Sequence, residues 1–224
     1  MLKNDYMKEM EHSLDLVKEE VNKEILNHDF ESAKHVINKQ LKTLVGLEID
    51  TIDTLSFNSI KDIISRDSYF NVWKYIALGE LLQLQGIVCS KEKDDNKMVI
   101  YYQKSLQAFY QAYEEEDIET KKYNEDILML LDVLSNYDLP LEDDKRVIKL
   151  YELIEKFDKA EDMIFYMVEK SNNDKNIIQE GIEFYTRLKQ KSREILIKGN
   201  LPIEEVEDSY LELKKLLDNR NVLK

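Results

Sequence analysis

The segment VWKYIALGELLQL, residues 72–84, decides how the chain is read. Only Lys74, Glu80 and Gln83 in it are strongly polar, so a helix here has to be covered on most of its sides. It is the first arm of a helical hairpin spanning residues 71–113. The second arm, MVIYYQKSLQAFYQAY at 98–113, puts Met98, Tyr102, Leu106, Phe109 and Tyr113 on one face at helical spacing. Beside that stripe run Tyr101, Ser105, Ala108 and Ala112, whose small members admit another helix at close range.

The composition extends this helical reading to the whole chain. Five glycines and two prolines, Pro140 and Pro202, are too few for the tight turns of a β-rich or α/β fold among 224 residues. Hydrophobic residues at 43% exclude disorder, and charged residues at 35% favour a soluble helical protein. The net charge of −14 repels phosphate backbones and anionic membrane surfaces, and the lysines form no stripe. Nucleic acid and membrane are therefore not expected partners. Cys89 alone cannot make an internal disulfide, no apolar run reaches membrane-spanning length, and the amino terminus lacks a signal-peptide layout. A cytoplasmic location is expected.

Taken in order, the periodicity predicts a first helix over about 4–26 and a second carrying Phe30, Ala33, Ile37, Leu41 and Leu44, stopped at Gly46. Residues 47–55 read as a short helix or an irregular crossing. Ser56 can cap a brief helix through Ile64, and Asp67 or Ser68 the long central one. Lys91 to Asn96 reads as a loop, and the acids from Glu114 to Asp117 end the second arm. The next helix is expected to carry Tyr123, Ile127, Leu130, Leu134 and Tyr137. After Pro140, Val147, Tyr151, Ile154 and Phe157 form one buried face, and Ala160, Met163, Ile164 and Met167 the next. Ile177, Phe184, Leu188 and Ile195 are assigned to a single helix ending near Gly199. A last helix opens at Pro202 with Val206, Tyr210, Leu213 and Leu217. Nine or ten helices result, in one domain over 1–224, with hairpins at about 4–46, 56–90, 97–137, 141–171 and 174–220.

Two stretches share a signature: Asp29 to Ile37 (DFESAKHVI) overlays Lys156 to Ile164 (KFDKAEDMI). Each has an aromatic three residues before an alanine and an isoleucine four after it. The pattern resembles the second helix of a tetratricopeptide (TPR) repeat. Tyr75, Leu78, Gly79, Leu82 and Gly86 fit the first repeat helix, Tyr102 and Leu106 the second, with a turn about seven residues longer than the standard repeat. Tyr151 suits the first helix of the third hairpin. The expected fold is all-α, antiparallel hairpins stacked as a TPR-like right-handed array, with an irregular helical bundle as the alternative.

Over nearly its full length the chain also resembles an uncharacterised family of bacterial, all-helical, TPR-like proteins found mainly in Gram-positive anaerobes. The resemblance rests on Asp5 to Met7 (DYM), Leu44 to Leu47 (LVGL), Leu78 to Leu82 (LGELL), Glu183 to Tyr185 (EFY) and Gly199 to Pro202 (GNLP). It implies a fold and carries no activity.

No residue pattern nominates a reaction. Glu9 and His12 have di-iron spacing, but neither His28 nor His35 completes a second half. Glu24, His28, Glu31 and His35 share a face only if the helix runs unbroken through 27–29, where a turn is expected. Cys89 has no neighbouring base to lower its pKa. Phosphate-binding, serine-hydrolase, calcium and zinc motifs are absent. No cofactor or metal is expected, and the chain reads as a non-enzyme. Most of Tyr69, Tyr75, Tyr101, Tyr102, Tyr110 and Tyr113 read as core residues with wet hydroxyls. If the array curves, Trp73, Ile76, Glu80 and Gln83 would line its concave wall and anchor a peptide or protein partner; otherwise Trp73 is core. The function expected is a protein- or peptide-interaction module, scaffold or regulator, with homo-oligomers also compatible. A ligand- or signal-peptide-responsive regulator is the alternative, and an acidic metal-binding bundle comes third.

Overall fold

The computed structural model describes residues 2–66, 71–114 and 120–222, and among them there are helices and turns but no strand. The backbone divides into two compact units, Met1–Asn136 and Tyr137–Lys224, with the boundary falling just before Pro140.

The first unit contains α1 (Leu2–Leu26), α2 (Phe30–Leu44), the short α3 (Ile49–Thr54) and α4 (Phe57–Ile64), then α5 (Asn71–Lys91) and α6 (Asp95–Glu114). A 3-10 turn at Thr120–Tyr123 leads into α7 (Asn124–Leu134). Every residue from Tyr75 to Gly86 is buried, so α5 is the interior helix its sequence demands. α6 lies along it, and α1 and α2 pack against its other sides. The α5–α6 contact is close because each helix offers small residues to the other. Gly79 and Gly86 of α5 receive the rings of Phe109 and Tyr102, and a Cβ at Gly79 would come within 2.9 Å of the Phe109 ring. Ser105 of α6, fully buried, donates its hydroxyl to the Gly79 carbonyl at 2.7 Å.

The second unit contains α8 (Leu141–Leu153), α9 (Phe157–Lys170), α10 (Lys175–Leu188), the short α11 (Arg193–Lys198) and α12 (Ile203–Val222). α8 pairs with α9, and α10 with α12. Gly181 of α10 faces Leu213 of α12, 2.6 Å from where a Cβ would stand. The Lys170 ammonium at the end of α9 ties down the start of α8, reaching Asp144 at 2.9 Å and Asp138 at 2.6 Å.

Helix ends explain the scarcity of glycine. At His28, Lys93, Glu155, Asn172 and Asn200 the backbone is left-handed (φ 54–65°). In each case the next N–H returns to a carbonyl five residues earlier, closing the helix as a glycine C-cap would. The turns before Phe30 and Phe157 are therefore alike: His28 and Glu155 share φ 58°, and the Asp29 and Lys156 N–H groups bond Glu24 and Tyr151. The two stretches thus share their turn and their buried Ala33, Ile37, Ala160 and Ile164, but Phe157 is fully buried where Phe30 is only partly so.

Several boundaries differ from the sequence reading. The expected loop at Lys91–Asn96 shrinks to residues 92–94, because Asp94 accepts from the Lys97 N–H and starts α6 early. The extra length of this hairpin is in its helices, not in its turn. Phe157 opens α9 and does not close α8, since Glu155 breaks the helix. Ile195 lies beyond α10: Ser192 accepts from its N–H and nucleates α11, and Leu196 is the buried residue there. Tyr123 precedes α7 and Tyr137 follows it. Short α3 and α11 bring the α-helices among the described residues to twelve, not nine or ten. The expected caps Asp67 and Ser68, Tyr69, and the acids 115–117 lie outside the described residues.

Candidate functional site

The four residues expected to line a groove do not line one. Trp73 (6% exposed), Ile76 (0%), Glu80 (1%) and Gln83 (3%) are all interior. The reason is that α5 is flanked by α1, α2 and α6 and has no free side. Glu80 and Gln83 instead belong to a part-buried polar brace. Lys18 of α1 forms ion pairs with Glu80 and, at 2.9 Å, with Asp126 of α7; Gln83 donates to the Asp126 carbonyl at 2.8 Å. Burial pushes the Glu80 carboxyl up to about 7; Lys18 opposes this and the Asp126 carboxylate reinforces it. Its Oε1 is buried and makes no hydrogen bond. This brace pins three helices together. The rings of Tyr75, Tyr101 and Tyr102 are buried, as expected, but the hydroxyls of Tyr75 and Tyr101 meet Ser65 and Asp53 and are not simply wet.

The other singled-out groups are also placed. His12, His28 and His35 are exposed; the turn at 27–29 breaks the continuous helical face, yet Glu24, Glu31 and His35 still line one open depression, without His28. Among the described residues no three His, Cys, Asp or Glu side chains gather as a metal would require. Cys89 is buried, and burial, helped by Glu92, raises its thiol to about 11, where it is no nucleophile at neutral pH.

A cavity of about 160 Å³ lies in the second unit, between α8 and α10. Its floor is apolar: Ile148 from α8, Ile164 and Met167 from α9, and Phe184 from α10. Its mouth is framed by two ion pairs that join the helices. Lys145 meets Glu180 at 2.9 Å, and Arg187 grips Glu152 with two bonds of 2.8 Å. Both pairs span 35 residues, so α8 and α10 run parallel and in register. Burial opposes charge on Glu152, but the Arg187 guanidinium and the Lys149 ammonium at 3.6 Å outweigh it and hold its pKa below the ordinary value. Between the two closed pairs, Lys149 leans along its own helix to Glu152, and Glu183 accepts from Gln179 on its own helix at 3.3 Å. The middle of the mouth thus has a cation on one wall and a carboxylate on the other.

The sequence held a signal for this site. Lys145, Lys149 and Glu152 stand four and three residues apart, and Glu180, Glu183 and Arg187, three and four apart, follow about one repeat later with opposite charges. The complement is visible only once the two helices are known to be neighbours.

Comparisons with curated proteins and with solved structures return no match. A model described as a family of unknown function (DUF6483) matches residues 1–218, in line with the full-length resemblance read from the motifs, and the chain belongs to that family.

Proposed function

We propose that the chain is a non-enzymatic, cytoplasmic, TPR-like interaction module whose partner-binding face is the α8–α10 side of the second unit. The observation that carries this reading is the side-chain-sized apolar cavity between two parallel helices, framed by ion pairs. The 35-residue offset of those pairs supports the TPR-like arrangement, since stacked repeats of about 34 residues bring successive first helices side by side. A protein or peptide segment crossing the mouth would lower one apolar side chain into the cavity, and its backbone would meet Lys149 and Glu183. The net charge of −14 favours neutral or basic partners.

The test is site-specific photo-crosslinking in the cells of origin, with the reactive residue at Lys149 and, as control, at exposed Lys23 of α1. A discrete product at position 149, absent at 23 and abolished by the cavity-filling Ile148→Trp, is expected. Equal products at both positions would overturn the reading.

The make-up of the cavity favours a second reading, a ligand-responsive regulator, because an apolar floor beneath converging charged groups can seat the apolar part of a small molecule.

A further inference from the structure

We propose that the cavity between α8 and α10 binds a free α-amino acid with a large apolar side chain. This deepens the ligand-responsive reading and rests on it.

Size comes first. An apolar cavity of about 150 Å³ is enough to admit benzene and stays dry when empty of it. At about 160 Å³, floor and charged mouth together, and with Ile148, Ile164, Met167 and Phe184 as its floor, the cavity takes a leucine, methionine or phenylalanine side chain with its head group left at the mouth. Polar side chains would leave hydrogen-bonding groups unpaired there.

The mouth selects what the side chain is attached to. The two closed ion pairs stand seven residues apart on each helix, or about 10 Å at 1.5 Å per residue. A compact head group fits in that interval. Lys149 and Glu183 rise from opposite walls: the Lys149 ammonium rests 3.6 Å from Glu152 and the Glu183 carboxylate accepts from Gln179 at 3.3 Å, so a ligand would draw each from a partner on its own helix. The charges lining the cavity cancel: Lys145, Lys149 and Arg187 against Glu152, Glu180 and Glu183. A net anion or cation therefore gains on one wall what it loses on the other. An α-amino acid carries both signs on one carbon: its carboxylate meets Lys149, its ammonium meets Glu183, and its side chain points down.

The experiment is isothermal titration of the full chain with L-leucine, L-methionine and L-phenylalanine, alongside N-acetyl-L-leucine, L-leucinamide and N-acetyl-L-leucinamide. Saturable binding of at least one free amino acid is expected, weakened about tenfold or more when either charge is removed. Lys149→Gln and Glu183→Gln, both at the surface, are expected to weaken it similarly, and Ile148→Trp to abolish it. If N-acetyl-L-leucinamide binds as well as L-leucine, the head-group assignment is wrong while the ligand-responsive reading survives. If none of the six compounds binds, both fall. A photo-crosslinked partner at position 149 would still support the interaction reading.

Discussion

The ring of Tyr102 lies directly over the bare Cα of Gly86, so closely that a methyl group on that carbon could not coexist with it. In an exposed helix interior, replacing glycine by alanine stabilises by about 1 kcal/mol. Here the sign reverses, because the ring must be displaced within a packed interior at a cost of about 1–3 kcal/mol. Gly86→Ala is expected to lower the melting temperature, and Gly79→Ala, facing Phe109, to do so less. Thermal denaturation of the two variants checks this.

The left-handed helix ends give the opposite expectation. His28, Lys93 and Glu155 hold φ of 58–65° with a Cβ that disfavours it. Glycine at any of them should stabilise the fold by roughly 0.5–1 kcal/mol, less than the full strain because glycine also loosens the unfolded chain. Glu155 has an exposed-side partner in Lys198 at 3.3 Å, so Lys93→Gly is the cleaner case. Chemical denaturation midpoints decide it.

The two buried glutamates make opposite pH signatures. The folded value of Glu80, about 7, lies above the ordinary 4.5, so the folded state holds that proton more tightly than the unfolded one. Its contribution to stability is complete below 4.5 and is lost as pH rises through 7. Glu80→Gln, which cannot ionise, should gain on the natural chain as pH is raised from 5 to 8. Melting curves of the pair across that range test the expectation.

Glu152 runs the other way. Its folded pKa is depressed, so its contribution is present above the ordinary value and is lost as pH falls through the folded one. Arg187→Ala leaves Glu152 buried with only Lys149 beside it and should cost about 1–3 kcal/mol near neutrality, discounted for the half-exposed arginine. The loss should shrink toward acid. Hydrogen exchange resolved by residue would place it in α8 and α10.

Much of this architecture was legible in the sequence because its causes are local. Ser56 and Gly46 mark their helix ends by side-chain or backbone chemistry that acts within a few residues, and Asp29, expected only within a turn, caps α2 by the same chemistry. The apolar run of α5 fixed its interior position for the same reason. The left-handed turns at His28, Lys93, Asn172 and Asn200 fall where polar residues already signal a break, whereas nothing in Glu155 advertises that conformation and the end of α8 does not show in the sequence. The groove residues were misplaced because burial of Glu80 depends on Lys18 and Asp126, 108 residues apart from each other. The α8–α10 cavity depends likewise on which helices become neighbours.

The brace around Lys18 also bears on how the molecule is made. Lys18 leaves the ribosome 108 residues before Asp126, an interval of roughly 5–20 s at translation rates of about 5–20 residues per second. During that time α1 has only α2, and later α5, to shelter its apolar stripe. The first unit therefore cannot reach its final state until α7 has been synthesised, and a ribosome stalled before residue 124 would hold a nascent chain with Lys18 and Glu80 short of their third partner.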